Sequence, residues 1–366
     1  MCAAGVALAL RAAARGGPAK RRTRQGGRDP PPGVGLRAVA GMRIVGTGSC
    51  APESVVTNDH LAEIVDTSDE WIQQRTGIRC RHILGPEETL GSISTIAAQR
   101  ALDKAGVSAE DVDMVILATS TPDDLFGTAT AIAAGVGATK AVAFDLTAAC
   151  SGFVFGLVTA AQYMRNGASK TTLVVGADCL SRWVDWSDRG TCVLFGDGAG
   201  AVVLQETAPE NDSLIGFEMG SDGGGRGSLY LPTCTKAVAL GGGNEGANGG
   251  YTHLGMNGTE VFRFATSTVN RVLRNLLDAH SVKPEEIDWL LLHQANRRIM
   301  DSAAKKLKLP LEKVLCNLDE YGNTSAGSIP LALDEAVRDG RVKPGQLVAC
   351  MGFGAGLSWG GALLRM

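Results

Sequence analysis

Thr147-Ala148-Ala149-Cys150-Ser151-Gly152 sets a cysteine among small residues between two apolar runs. The run before it, Ala141-Val142-Ala143-Phe144-Asp145-Leu146, reads as a buried strand. The run after it, Phe153 to Tyr163, is almost wholly apolar and long enough for a buried helix. Cys150 then stands at a helix N-terminus, where free N–H groups and the macrodipole favour a thiolate. Small neighbours let a substrate approach the backbone. The pattern suits a thiol nucleophile, and a packed, inert cysteine is the alternative until partners are found.

Two downstream segments supply candidate partners. His293 closes the apolar run Asp288-Trp289-Leu290-Leu291-Leu292, at the tip of an expected strand. Asn323 lies in Tyr321-Gly322-Asn323-Thr324-Ser325-Ala326-Gly327-Ser328, a small-residue loop between a short strand and a helix from Ile329 to Arg338. Each signal is weak alone. An internal repeat joins them. Ala109 to Leu117 matches Pro284 to Leu292 at an offset of 175, and Lys170 to Gly176 matches Pro344 to Cys350 at 174. Between these pairs, Cys150 matches Asn323 at 173. Two βαβ-rich halves in the same order imply a pseudo-two-fold axis, with the Cys150 and Asn323 loops facing one cleft and His293 beside them.

The chain from about Met42 onward resembles the thiolase-fold condensing enzymes, specifically β-ketoacyl-acyl-carrier-protein synthase III. The resembling motifs are Ser68-Asp69-Glu70-Trp71-Ile72 with Arg75-Thr76-Gly77-Ile78, Ala149-Cys150-Ser151-Gly152, and Asp188-Arg189-Gly190-Thr191 with Phe195-Gly196-Asp197-Gly198-Ala199-Gly200. They continue through His293-Gln294-Ala295-Asn296 and Gly322-Asn323-Thr324-Ser325 to Gly352-Phe353-Gly354-Ala355-Gly356. The resemblance implies an α/β fold of duplicated, thiolase-like βαβαβ halves in α-β-α-β-α layers. The expected halves are 42–215, with Cys150, and 216–366, with His293 and Asn323.

Composition agrees with a large buried core: 45% of residues are hydrophobic, and 48 glycines suit many tight strand–helix turns. Nine cysteines show no C-x-x-C pair and no His/Cys ligand spacing, which favours free thiols over disulfides or a metal site. No apolar run approaches a membrane span, and neither a membrane nor a nucleic-acid partner is expected. Gly46-Thr47-Gly48-Ser49-Cys50-Ala51 nominally fits a dinucleotide fingerprint, but Pro52 follows at once and no helix opens there. Gly241 to Gly250 reads as a flexible surface loop.

Residues 1–41 are different material, with eight Arg/Lys against the single acid Asp29. Beyond them, 27 basic residues face 37 acidic ones, a net charge of −10. An Arg-rich, acid-poor leader before an acidic enzyme reads as an organellar transit peptide without fixed structure. The implied chemistry favours the plastid, with the mitochondrion as the alternative.

What the resemblance implies is specific. Cys150 takes an acyl group from a coenzyme A thioester, with its own N–H and that of Ala355 as the oxyanion hole. His293 and Asn323 stabilise the enolate formed when a malonyl thioester loses carbon dioxide, which requires a neutral imidazole of depressed pKa. Trp71 and Arg189 sandwich the adenine of coenzyme A; Arg75 and Thr67 contact its other end; Gly258 and Phe262 line the channel. Thr67 to Glu70 fits a capping box for the helix that carries Trp71. Arg298 and Lys305, with Arg263 as a further candidate, dock the acidic acyl carrier protein. Coenzyme A enters as substrate, and no metal or redox cofactor is expected. A homodimer is implied, with the partner's Leu125-Phe126 loop closing the acyl pocket.

Other readings share part of this pattern. A chalcone-type polyketide synthase uses a Cys-His-Asn set with malonyl-coenzyme A but gives no reason for the basic helix. Hydroxymethylglutaryl-coenzyme A synthase needs a glutamate base with no place here. A non-catalytic scaffold that binds acyl carriers has no need for all three residues, and a thiol redox protein lacks a resolving cysteine.

Overall fold

The computed structural model describes residues 40–233 and 250–366. The leader through residue 39 and positions 241–249 of the glycine-rich loop lie outside the described residues.

The first half runs β1 (Gly41–Cys50), α1 (Asp69–Thr76), α2 (Leu90–Ala105), β2 (Met114–Ala118), α3 (Ala129–Val136), β3 (Val142–Leu146), α4 (Gly152–Arg165), β4 (Thr171–Cys179) and β5 (Asp197–Thr207). The second runs β6 (Leu214–Ser221), α5 (Gly258–Ala279), β7 (Trp289–Leu292), α6 (Arg297–Leu307), β8 (Val314–Leu315), α7 (Ser328–Arg338), β9 (Leu347–Gly354) and β10 (Ser358–Arg365). The sheet orders are β1-β5-β4-β2-β3 and β6-β10-β9-β7-β8. In each, the three strands from one edge are parallel and the two at the other edge antiparallel. The expected boundary at 215/216 falls inside β6; the chain passes to the second sheet between Thr207 and Leu214. The polar run Glu206-Thr207-Ala208-Pro209-Glu210-Asn211-Asp212-Ser213 marks that passage in the sequence.

Strand alternation builds the layers. On β4, Leu173, Val175 and Ala177 face the core under α2 and α3, whereas Val174 faces α4 and α7. On β9, Leu347, Ala349 and Met351 face α5 and α6, whereas Val348 and Cys350 face α4 and α7. Sheets covered on both faces read as continuous apolar runs. The helices divide accordingly. Central α4 is apolar nearly all round, whereas outer α5 buries one stripe through Ala265, Val269, Val272, Leu273 and Leu276. The result is the α-β-α-β-α stack.

The repeat is exact in detail but not in the register read from sequence. Asp113 and Asp288, matched at 175, each accept from the first N–H of the neighbouring strand: Thr171 at 3.0 Å and Leu347 at 2.7 Å. That pairs Thr171 with Leu347 and shifts the second match to 176, two residues from the expected 174. The turns before α4 and α7 follow the same register. Ala149 and Ser325 both take left-handed backbone, at φ 48° and 49°. Cys150 therefore corresponds to Ala326, and Asn323 to Thr147, instead of Cys150 to Asn323. The expected short strand before the Asn323 loop is β8, and a one-turn helix, Leu318–Tyr321, follows it before Asn323.

Two glycines let these turns reach the strands. A Cβ on Gly176 would stand 2.3 Å from the Ala326 carbonyl, and one on its counterpart Gly352 would stand 3.1 Å from the Cys150 carbonyl. Gly176→Ala should destabilise the protein by more than about 3 kcal/mol, since backbone must yield. Gly340→Ala, at φ 81° with open space around it, should cost about 1–2 kcal/mol. Urea unfolding of the two variants checks this ordering.

Candidate active site

Cys150, His293 and Asn323 share one cavity of ≈ 140 Å³, walled by Leu194, Phe195, Met256, Phe262, Ile299 and Phe353 among others. All three are buried. Their order is a product of strand ends: Cys150 lies in the turn between β3 and α4, His293 directly follows β7, and Asn323 precedes α7.

Each polar group is aimed by a named bond. The Ser325 N–H donates to Asn323 Oδ1 at 2.9 Å, which turns the amide NH₂ away from the loop. His293 Nδ1 lies 2.7 Å from Ser328 Oγ, and the ring packs edge-on against Phe353 at 5.2 Å between centroids. Burial pushes the imidazole down to about 3, so the ring is neutral at physiological pH. Ser325 Oγ donates to Cys150 Sγ at 3.2 Å. Burial outweighs that bond and, with Asp178 nearby, lifts the thiol to about 12. The helix N-terminus does not by itself hold a thiolate here; the resting group is the thiol.

The pseudo-symmetry explains a free donor beside the sulfur. At the Ala326 turn, the N–H donates to the Asp178 carboxylate at 3.1 Å. The counterpart of Asp178 in the second half is Gly354, where a Cβ would stand 3.0 Å from Cys150 N and 3.1 Å from Sγ. Where one half sets a carboxylate, the other leaves space for a substrate oxygen. Ala355 follows in the turn out of β9. The site thus holds a thiol beside the side-chain-free Gly354 and two neutral hydrogen-bonding side chains within largely apolar walls.

Models of 3-oxoacyl-acyl-carrier-protein synthase III match residues 144–223 and, for its C-terminal part, residues 277–366. The β-ketoacyl-acyl-carrier-protein synthase III of Prochlorococcus marinus (strain MIT 9313) is 56% identical over 89% of this chain and 96% of its own. The chain belongs to the β-ketoacyl-acyl-carrier-protein synthase III family. It is a condensing enzyme of the acyltransferase class. The homologous enzyme of Acaryochloris marina is also 56% identical, over 89% of this chain and 97% of its own. The crystal structure of the Aquifex aeolicus enzyme matches with a TM-score of 0.81 and 44% identity, over 89% of this chain and all of that one. The priming β-ketosynthase of the R1128 polyketide pathway matches at 0.83 and 35%, over 92% of this chain and 99% of its own.

The other residues read from sequence fall into three groups. Gly258 and Phe262 line the same cavity as Cys150, His293 and Asn323. Trp71, Arg75 and Arg189 form a separate cluster, with the guanidinium carbons 5.7 Å (Arg75) and 4.8 Å (Arg189) from the indole centroid. It joins the site through Asn296, which lines the cavity and donates to the Arg75 carbonyl at 3.0 Å. Arg189 thus stacks directly on Trp71, held by the Asp66 carbonyl at 2.7 Å. An adenine between them would need about twice a ~3.5 Å stacking distance, so the expected sandwich does not fit Arg189 where it stands. Ser68, and not Thr67, caps α1, accepting from Trp71 N at 3.2 Å, and Thr67 Oγ1 is buried without a partner. The capping-box pattern misled by one residue because Thr67 and Ser68 are both competent caps.

In the basic group, Arg298 lies over the Phe262 ring at 5.4 Å, and Lys305 is exposed one side of α6. Arg263 is engaged by Glu260 at 2.8 Å, which weakens its claim on an acidic partner. Sequence reasoning missed Asp178, Ser325 and Ser328. Their only signals were a charge closing an apolar strand and serines beside Asn323.

The neutral imidazole has a stability consequence. Its folded pKa lies below the ordinary value near 6.5, so the unfolded chain binds the proton and folding weakens as pH falls through that value. His293→Gln removes the effect. Its urea midpoint should gain on the parent's steadily between about pH 7 and pH 5; a constant difference contradicts the assignment.

Proposed function

We propose that this condensing enzyme starts type II fatty-acid synthesis by joining acetyl-coenzyme A to malonyl-acyl-carrier protein. The products are acetoacetyl-carrier protein, coenzyme A and carbon dioxide. The observation that carries the reading is one largely apolar cavity holding the Cys150 thiol, neutral His293 and an oriented Asn323 amide.

The chemistry follows from those groups. Cys150 attacks the acetyl thioester, and its N–H with that of Ala355 receives the oxyanion. Coenzyme A leaves and the malonyl thioester enters. As carbon dioxide departs, charge gathers on the thioester oxygen, where Asn323 Nδ2 and His293 Nε2 donate. Nδ1 accepts from the Ser328 hydroxyl, 2.7 Å away, once that hydroxyl turns from the Ser325 carbonyl to which it donates at 2.8 Å, and Nε2 then carries the ring proton. Losing one such donor costs ~10²–10³ in rate. The carbanion then attacks the acetyl group and Cys150 is expelled. Every step uses side chains, backbone and substrate, so the reading asks for no metal or redox cofactor.

Arg298 and Lys305, on the helix after His293, supply positive charge to an acidic carrier near the cavity. The dimer is supported by an open sheet edge: β3 is terminal in its sheet, Val142 is 61% exposed, and the nearby Leu125 and Phe126 are 84% and 97% exposed. In that arrangement the partner's loop closes the acyl pocket. Among the described residues no helix is long and apolar enough to cross a membrane. The Arg-rich leader and the cyanobacterial relatives support a plastid address, with the mitochondrion as the alternative.

Intact-mass measurement tests the reaction. Acetyl-coenzyme A should add one acetyl group, absent in Cys150→Ser, which malonyl-carrier protein discharges and malonyl-coenzyme A does not. Discharge by malonyl-coenzyme A would favour the chalcone-type reading, and no adduct with any acyl-coenzyme A would favour a scaffold.

A further inference from the structure

Arg81, in the short strand Cys80–Ile83, is fully buried yet does not line the cavity that holds Cys150. Arginine is rarely buried without a paired charge. Among the described residues no carboxylate reaches this one. Its acceptors are the Val193 carbonyl at 2.7 Å, Asn58 Oδ1 at 2.9 Å and the Val56 carbonyl at 3.2 Å, and Nε has no partner. Asn58 in turn donates to Asp69 Oδ1 at 2.9 Å and to the Ile78 carbonyl at 2.8 Å, which anchors the fork to α1. Burial lowers the guanidinium to about 10, so it stays charged at neutral pH. A cost of that kind directs attention to what the fork joins.

Its contacts converge on Asn323. Val193 opens the segment Val193-Leu194-Phe195-Gly196, which holds the Asn323 backbone at both of its polar groups. Asn323 N donates to the Leu194 carbonyl at 2.9 Å, and Gly196 N donates to the Asn323 carbonyl at 3.0 Å. The arginine stem packs against the two glycines of this pairing. A Cβ on Gly322 would stand 3.2 Å from Arg81 Cβ, and one on Gly196 would stand 3.0 Å from it. Neighbours of Arg81 grip the approach to Asn323: Arg79 N donates to the Asp319 carbonyl at 2.9 Å, and His82 stacks on Tyr321 at 5.2 Å. Arg81 extends that grip across to Val193. The far side of the loop is held independently. There the Ala326 N–H donates to Asp178 at 3.1 Å, and a Cβ on Gly327 would stand 2.4 Å from the Gly198 carbonyl. That side carries Ser325, whose hydroxyl donates to the Cys150 sulfur.

We propose that Arg81 is a positioning residue for Asn323, holding the amide where the enolate oxygen forms and leaving the Cys150 side of the cavity to its own supports. The role rests on the proposed condensation, in which Asn323 acts only after Cys150 has been acetylated. A misplacement of about 1 Å costs a positioned group about 10²-fold in rate. Loss of the fork therefore slows condensation and spares acetyl transfer, whereas a general loosening of the fold slows both.

The test follows the full chain by intact mass through two single-turnover steps: loading by acetyl-coenzyme A, then discharge by malonyl-carrier protein. Discharge is counted per acetylated molecule, so unfolded protein does not enter the rate. Arg81→Lys keeps the charge but not the fork; it should load like the parent and discharge about 10²-fold more slowly. Arg81→Met should show the same selectivity with a loss at least as large, and if it does not fold, Arg81→Lys decides. In an Asn323→Ala background Arg81→Lys should cost no further discharge rate, because it acts through that amide. Unchanged discharge overturns the proposal, as does an equal loss in both steps or a full further loss in the Asn323→Ala background. The placement is also read without substrate. A crystal structure of Arg81→Lys should show Asn323 displaced, with Cys150 and Ser325 unmoved; Asn323 in its parental position overturns the proposal. A parent that takes no acetyl, or whose adduct malonyl-carrier protein does not discharge, sinks the condensation instead, and the crystal structure still decides the placement.

Discussion

Two backbone turns pressed against two strands hold this enzyme together as a catalyst. The turns before α4 and α7 approach β9 and β4 so closely that only glycine fits, at Gly352 and Gly176. Each turn passes through left-handed backbone, at Ala149 and Ser325, to start its helix. Such a non-glycine conformation costs about 1–2 kcal/mol and persists only where packing enforces it. Here the enforcing layer is the α4/α7 core shared by both sheets. The site is therefore not a feature added to one half. It is the place where the pseudo-two-fold brings both halves' turns to the same point.

Duplication supplies the frame, and divergence at matched positions supplies the chemistry. The first half keeps Asp178 against the Ala326 N–H, whereas the second has Gly354 against Cys150. A carboxylate fixes one turn; the missing side chain opens the other to an acyl group. Burial then sets protonation on both sides of the cavity. It holds His293 neutral, which the proposed decarboxylation needs, and holds Cys150 as a thiol, which the proposed acyl transfer must overcome. One low-dielectric environment helps one half-reaction and burdens the other.

Much of this was legible in the sequence. Apolar runs gave both sheets, because strands covered on two faces carry no polar alternation to confuse with loops. The motifs around Cys150, His293 and Asn323 identified the residues that share the cavity. The register of the repeat was less legible. A two-residue slip leaves the face of every strand residue unchanged, so matching Lys170 with Pro344 looked as good as the true pairing of Thr171 with Leu347. The hydrogen bonds that Asp113 and Asp288 accept from Thr171 N and Leu347 N, and the left-handed pair Ala149 and Ser325, distinguish them. The contact of Arg189 with Trp71 was also hidden, since a sequence records which residues meet a ligand and not where they rest without one. Asp178 and Ser325 escaped for a similar reason: their contacts, with Ala326 and Cys150, join positions 148 and 175 apart in the chain, with no local pattern to announce them.

The central claim is that Cys150 and the turn after Gly354 form an acyl pocket separate from the enolate site of His293 and Asn323. A crystal structure of the protein acetylated at Cys150 tests it most directly. The account predicts the thioester oxygen within about 3 Å of both Cys150 N and Ala355 N, with His293 Nε2 and Asn323 Nδ2 left open. A thioester oxygen bound instead to His293 and Asn323 would contradict it, because one pair of donors would then have to serve both half-reactions.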